Sequence, residues 1–284
     1  MRSILAVAEL SPSLPTQIKA AAAFARLFGG HVSVVAPRAD FRSVLVGAGG
    51  IGAVAPIPYE DFEGSEESRL DEIKAASEAA MRDAGLPLRE GSSMQTEPTG
   101  SWVSLAEPGD SAVGRLARAY DISVLPRPEA GQQVPRRELL EAVLFDSGRP
   151  LLMVPPRAVS TLGDTIVVAW NGSTESARSV SFAMPLLARA QRVVVLTVEG
   201  GMVEGPGANE LCRALRLNGI QAEPVHIEGT SKPPGAMITD YAASIGCDLL
   251  VKGAYTHSRL RQLIFGGATD LILTSADVPV LFAH

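Results

Sequence analysis

The sequence predicts an α/β protein built from two tandem domains, each a doubly wound parallel sheet. Short runs of Val, Ile and Leu alternate along the chain with stretches whose apolar residues recur at helical spacing, which is the pattern of βαβ units. An internal repeat supports the division into two, because Ile4–Ser11 and Ile166–Ser173 are both apolar strands that run into a polar turn. The length of 284 residues suits two domains of ordinary size.

Each copy of the repeat predicts strands and helices in strict alternation. In the first copy, strands are expected near 3–8, 31–36, 88–96, 121–125 and 150–154, and helices near 15–28, 66–84, 110–119 and 136–146. In the second copy, strands are expected near 165–170, 192–198, 222–227, 248–252 and 279–283, and helices near 174–189, 207–218, 234–245 and 267–275. The nearly continuous apolar strands indicate sheets that are covered on both faces.

The predicted boundary between the domains is a short linker that contains two prolines and a glycine. The first domain is expected at 1–156 and the second at 163–284, because Pro155, Pro156 and Gly163 disfavour regular structure between them. The first copy is the longer one. Its excess falls on 37–65, which is rich in Gly, Pro and Ala without helical periodicity and is expected to be an inserted loop.

The composition excludes several classes of protein. With 46% hydrophobic and 20% charged residues the chain is expected to fold, and a net charge of −6 disfavours a nucleic-acid surface or a polybasic membrane anchor. The longest apolar runs fall short of a membrane helix and no signal peptide is evident at the start, so a cytoplasmic location is expected. Cys212 and Cys247 form no CxxC motif and are expected to be buried thiols.

Two loops that follow strands of the second copy carry the residues best suited to binding a ligand, since ligands of open parallel sheets bind beyond the carboxyl ends of the strands. After the first strand, Asn171 and Gly172 suit a tight turn, and Ser173 or Thr174 can cap the next helix.

After the fourth strand, Gly253–Thr269 has glycines near both ends and leads into a predicted helix. Glycines allow a close approach of the backbone, the amides at a helix start bind anions, and arginines add charge, so the segment is a candidate phosphate loop. The residues concerned are Arg259, Arg261, Gly267, Ala268 and Thr269. The alternative is a plain glycine-rich turn with solvated arginines.

These segments resemble the universal stress proteins, and in particular their tandem two-domain members from bacteria. Nucleotide-binding members carry, after the fourth strand, a motif of Gly, two residues, Gly, nine residues, and then Gly followed by Ser or Thr. Gly253 and Gly266 hold the first and third glycine positions with the spacing intact, whereas Thr256 replaces the middle glycine. Gly267 stands where the hydroxyl residue is expected, and Thr269 lies two positions further on.

The resemblance implies a Rossmann-like fold of the adenine nucleotide alpha-hydrolase type, with an ATP or AMP site in the second domain. The family's aspartate at the end of strand one, which contacts adenosine, corresponds to the neutral Asn171, and the backbone near Val198 would face the adenine. No catalytic residue and no metal is expected. The site residues are expected to be Ala169, Trp170, Asn171, Gly172, Ser173, Val198, Gly253, Ala254, His257, Ser258, Arg259, Gly266, Gly267, Ala268 and Thr269.

The first copy departs further from the family pattern and is expected to be a degenerate, structural half. Pro126 aligns with Gly253 and supplies no amide for a phosphate, and Glu9 falls opposite Asn171. The resemblance also implies that the last strands of the two halves pair about a pseudo-twofold axis. A homodimer is expected as well, because those apolar strands would otherwise leave sheet edges exposed.

Three further patterns favour ordinary structural roles. The glycines of a GxGxxG motif, Gly47, Gly49 and Gly52, are followed within a few residues by Pro56 and Pro58, which break the helix that a dinucleotide site requires. The acidic patch 60–67 lies at a loop-to-helix junction and is expected to be solvated and to cap a helix. Of the histidines, His31 and His226 fall in strands, His284 is terminal, and His257, beside Ser258, is expected to contact nucleotide rather than to form a catalytic pair.

Three functions follow from these observations. The first is a non-enzymatic universal stress protein whose second domain binds an adenine nucleotide, with at most slow ATP hydrolysis. The second is a scaffold or signalling protein of the same fold that has lost the ligand. The third is an enzyme, either an adenine-nucleotide hydrolase or an oxidoreductase that uses the glycines of 47–52.

Overall fold

A computed structural model describes residues 1–41, 58–90, 96–128, 134–159, 161–229, 232–254 and 268–284. The first half contains β1 (Ser3–Val7), α1 (Leu14–Phe28), β2 (His31–Val35), α2 (Tyr59–Asp83), β3 (Thr99–Val103), α3 (Asp110–Ala117), β4 (Ile122–Pro126), α4 (Arg137–Asp146) and β5 (Leu151–Val154). The second half contains β6 (Thr165–Ala169), α5 (Thr174–Leu187), β7 (Arg192–Val198), α6 (Ala208–Leu217), β8 (Ala222–Ile227), α7 (Pro234–Ser244), β9 (Leu249–Gly253), α8 (Ala268–Ser275) and β10 (Val280–Ala283).

The strands of both halves form one ten-stranded sheet in the order β3-β2-β1-β4-β5-β10-β9-β6-β7-β8. Strands pair in parallel within each half, and the two halves meet through an antiparallel pair in which Leu281 lies opposite Leu152. Corresponding strands occupy mirrored positions in this order, so the predicted α/β class and the pairing of the last strands are confirmed. Two apolar clusters, one on each face, contain side chains from both halves and bury the sheet on both sides.

This pairing removes the reason for which a homodimer was expected. The apolar edges of β5 and β10 cover each other within one chain, and the outer edges of the sheet are β3 and β8. In β8 the row of backbone donors is interrupted by Pro224, and Glu223 forms an exposed ion pair with Arg192. Proline and charge on an edge strand disfavour pairing with another chain.

Two predictions about the first half are wrong. The third strand lies at Thr99–Val103 rather than at 88–96, and its first three residues, Thr99, Gly100 and Ser101, give no apolar signal. It is held instead by His31, whose ring nitrogens hydrogen-bond the hydroxyls of Thr99 and Ser101, each at 2.8 Å. The inserted loop also ends earlier than expected, because α2 begins at Tyr59.

The acidic patch is only in part a solvated helix start. Glu60 and Asp61 lie in the first turn of α2, as predicted. Glu66, in contrast, is buried, and it accepts hydrogen bonds from the Ala39 N–H and from Arg69, each at 2.7 Å. The expectation of a purely solvated role is therefore wrong for Glu66, which joins α2 to the segment after β2.

The antiparallel junction leads to a prediction about the second half in isolation. A fragment comprising 163–284 would expose the edge of β10, whose Val280, Leu281 and Phe282 are completely buried in the full chain. Exposed apolar edges recruit another strand, so we expect the fragment to self-associate through β10 at micromolar concentration. Light scattering after size-exclusion chromatography measures this, and a fragment that stays monomeric would contradict the role given to the junction.

Candidate functional site

A crevice lies at the carboxyl ends of β6, β7 and β9, where the strand order of the second half reverses. β7 and β9 both follow β6 in the chain, but β7 pairs with one side of β6 and β9 with the other. Ligands of doubly wound sheets bind at such a point. The crevice has a volume of about 50 Å³ and is lined by Ala169, Trp170, Asn171, Leu196, Val198, Gly201, Pro234, Ile238, Lys252 and Gly253.

The turn between β6 and α5 is built by its own side chains. The Asn171 Oδ1 accepts a hydrogen bond from the Ser173 N–H at 3.2 Å, and Gly172 has a φ of 83°, which favours glycine. The hydroxyl of Ser173 accepts from the Ser176 N–H at 3.1 Å and so caps α5. The capping role predicted for Ser173 is confirmed.

The loop that follows β7 packs over this turn and closes one side of the crevice. The indole N–H of Trp170 donates to the carbonyl of Pro206 at 2.8 Å, and the Val203 N–H donates to the carbonyl of Asn171 at 2.9 Å. A Cβ on Gly205 would come within 2.4 Å of the Gly172 carbonyl oxygen. The two loops therefore approach more closely than any larger residue at position 205 would permit.

The end of β9 forms the floor of the crevice. A Cβ on Gly253 would lie 2.4 Å from the Ser176 backbone nitrogen, so the first turn of α5 requires glycine at this position. Beyond it, the Ala254 carbonyl lies 3.1 Å from the Nδ1 of His284. Gly253 thus has a packing role, and the phosphate role that the sequence suggested stays a prediction.

Lys252 was missed by the sequence analysis, although it lines the same crevice. Its side chain is 8% exposed, and its Nζ donates to the Gly253 carbonyl at 2.8 Å. Burial lowers the pKa of Lys252 to about 8. The sequence feature that could have identified it is a single lysine in an otherwise apolar strand.

The structure brings together part of the predicted site. Ala169, Trp170, Asn171, Val198 and Gly253 line the crevice, and three more predicted residues lie beside these in sequence: Gly172, Ser173 and Ala254. Other predictions lie outside the described residues: His257, Ser258, Arg259, Gly266 and Gly267 in the candidate phosphate loop, and the glycines of 47–52. Ala268 and Thr269 begin α8.

The corresponding position in the first half is occupied by an ion-pair cluster. Glu9 follows β1 as Asn171 follows β6, and its Oε1 lies 3.3 Å from the Arg136 Nε. Arg136 also pairs with Asp110 at 2.6 Å. Burial raises the pKa of Glu9 and that of Asp110, and the charge of Arg136 opposes both shifts.

This cluster joins the end of β1 to the starts of α3 and α4. Pro126 ends β4 where Gly253 ends β9, as the repeat predicted.

The described part of the chain has no membrane-spanning helix and no metal-binding cluster. None of its helices is long and apolar enough to cross a membrane. None of its His, Cys, Asp and Glu side chains gather in groups that suit a metal ion. Both cysteines are buried, as predicted, and burial raises the pKa of each thiol.

Comparison with known proteins relates the fold to one family. Residues 163–284 match the family model described as the universal stress protein family. A universal stress protein from Archaeoglobus fulgidus superposes with a TM-score of 0.62 at 15% identity, covering 99% of this chain and 97% of its own. No curated protein matches the chain.

Two solved structures from Pseudomonas aeruginosa also cover the whole of this chain. A protein of unknown function has a TM-score of 0.53 at 14% identity and is covered over 92% of its length. A candidate universal stress protein has a TM-score of 0.52 at 15% identity and is covered over 93%. At such identities the likeness shows a shared fold.

Proposed function

We propose, from the premise that residues 163–284 belong to the universal stress protein family, that this chain is a non-enzymatic stress-response protein whose second domain binds an adenine nucleotide. The observation that carries the proposal is the position of the crevice. It lies where the strand order reverses, and Asn171 and Val198, which the family resemblance assigns to adenosine, both line it.

The size of the crevice limits how a nucleotide would bind. Its volume of about 50 Å³ is well below the roughly 300 Å³ at which ligand pockets begin. A nucleotide would therefore extend beyond these lining residues or widen the crevice. The backbone walls are closely packed at Gly172 and Gly205, so we expect movement of side chains rather than of the loop pair.

The same volume favours a second candidate, a ligand-free scaffold of this fold. In that case the crevice is residual space between packed loops, and the ion pairs of the first half and the turn of the second half have purely structural roles. The scaffold predicts no heat on titration with any adenine nucleotide.

Calorimetric titration of the apo protein with ATP and AMP tests the proposal. Titration of the variant Asn171→Asp makes the test more specific to the crevice. An aspartate keeps the oxygen that accepts from the Ser173 N–H, and it restores the carboxylate that the family uses towards adenosine. Because hydrogen bonds to a charged acceptor are stronger than neutral ones, we expect Asn171→Asp to tighten AMP binding about tenfold.

The matched control is Asn209→Asp, which makes the same change at an exposed position in the first turn of α6. It should leave the affinity for AMP unchanged. If neither the wild-type protein nor Asn171→Asp releases heat with millimolar AMP or ATP, the proposed function is wrong and the scaffold takes its place.

A further inference from the structure

Lys252 lines the candidate crevice, and its Nζ donates to the carbonyl of Gly253, which lines the crevice as well. In the register of the sheet Lys252 lies opposite Ala169 on β6 and Phe282 on β10. Its neighbours on the same face of β9, Leu250 and Ala254, belong to an apolar cluster with Val198. Among the described residues that line the crevice, Lys252 is the charged one.

Burying an ammonium among apolar side chains is costly, since desolvation disfavours the charged form. The lowered pKa of Lys252, about 8, reflects this cost. At neutral pH most molecules nevertheless keep the charge, because the pKa still lies above 7. A methionine of similar length would fill the same space without the cost, so the lysine is not explained by packing alone.

The crevice offers a second source of positive potential. Pro234 lines it and is the first residue of α7, an eleven-residue helix. The amino end of a helix carries a partial positive charge that favours anions. Here the contribution is mainly that of the helix dipole, because Pro234 has no N–H and the Ala236 and Met237 amides donate to the Pro233 carbonyl. Lys252 and the start of α7 thus border the same small crevice as Asn171 and Val198.

We propose that the Lys252 ammonium binds a phosphate group of the ligand, so that the second domain selects phosphorylated adenosine over adenosine itself. This inference rests on the proposed function and adds the residue that binds the phosphate group. It concerns binding only and involves no bond making or breaking. The contact would exchange the hydrogen bond to the Gly253 carbonyl for a charge-assisted one to a phosphate oxygen.

The test is a calorimetric titration of the full chain with AMP and, separately, with adenosine. Lys252→Met removes the charge and keeps the length of the side chain. We expect it to weaken AMP binding at least tenfold and to leave adenosine binding within twofold of wild type. Lys232→Met is the matched control, because Lys232 is exposed and pairs with Asp240 on the surface. It should change neither affinity.

The outcomes separate the two claims. If the wild-type protein binds AMP and Lys252→Met binds it equally well, or loses adenosine binding to the same extent, the role of Lys252 is overturned while the proposed function stands. If the wild-type protein binds neither compound, the proposed function fails and this inference fails with it.

A second measurement on the wild-type protein needs no variant. The rate at which an acylating reagent modifies Lys252 is followed by mass spectrometry, with and without saturating AMP or adenosine. We expect AMP to slow the modification several-fold more than adenosine does. A rate that saturating AMP does not alter would overturn the phosphate contact.

Discussion

Changing Gly253 to alanine is expected to destabilise the protein by about 3 kcal/mol, because the new Cβ cannot be accommodated without moving backbone. It would lie 2.4 Å from the Ser176 nitrogen and 2.6 Å from the Glu175 carbonyl carbon, both in the first turn of α5. Neither atom belongs to a flexible side chain. Urea denaturation followed by circular dichroism measures the free energy of unfolding.

The matched control is Gly64→Ala in α2, where a Cβ would meet nothing within 4 Å. Alanine is the better helix former, so this variant should gain up to about 1 kcal/mol. The free energy of unfolding should thus fall in Gly253→Ala and rise in Gly64→Ala. This difference separates a steric requirement at position 253 from a general effect of replacing glycine. A Gly253→Ala protein as stable as wild type would show that β9 and α5 are packed less closely than described.

Replacing Arg136 by alanine is expected to cost about 2 kcal/mol at pH 7, because Glu9 and Asp110 would then remain as two largely buried carboxylates without their shared cation. The value is below that of a completely buried pair, since the Arg136 side chain is 42% exposed and water screens its charge. In addition, Glu9 Oε2 is already buried without a hydrogen-bond partner among the described residues.

The loss of stability in Arg136→Ala should depend on pH in a defined direction. Removing Arg136 removes an interaction that lowers the pKa of Glu9 and that of Asp110, so both values, already raised by burial, rise further. A group whose pKa is raised by folding stabilises the fold below its unfolded pKa and loses that contribution as the pH rises through the folded pKa. The loss in the free energy of unfolding of Arg136→Ala should therefore be small at about pH 4 and grow towards pH 7.

Arg137→Ala is the control for this series, because Arg137 is the next residue and forms a surface pair with Glu141. It should change the free energy of unfolding by no more than about 0.5 kcal/mol. A pH-independent loss in Arg136→Ala, or an equal loss in Arg137→Ala, would contradict the role given to the cluster of Glu9, Asp110 and Arg136. Unfolding curves at several pH values decide the matter.

The sequence predicted the fold well wherever strands are buried on both faces. The run Val193–Val198 is apolar except for Thr197, and β7 begins and ends at the predicted residues. Edge strand β3 was misplaced because Thr99, Gly100 and Ser101 carry no apolar periodicity. Its position depends on the ring of His31 and on the close packing of Gly100 against Met81, which are contacts between distant parts of the chain.

The candidate site was predictable only where local chemistry decides the structure. The turn at Asn171, Gly172 and Ser173 forms from neighbouring residues, so turn and capping preferences identified it. The position of Lys252 in the crevice depends on which face of β9 its side chain occupies and on the helix that packs over that face. Gly253 satisfies a steric demand of α5 that a glycine motif alone does not reveal.

The most direct test of an adenine nucleotide site in the second domain is the nucleotide content of the freshly purified wild-type protein. The protein is denatured and the released compounds are separated by chromatography, and the emptied protein is then titrated with AMP. We predict that adenine nucleotide is released and that the emptied protein binds AMP again. A protein that releases no adenine compound and binds none at millimolar concentration would contradict the nucleotide site and leave the ligand-free scaffold.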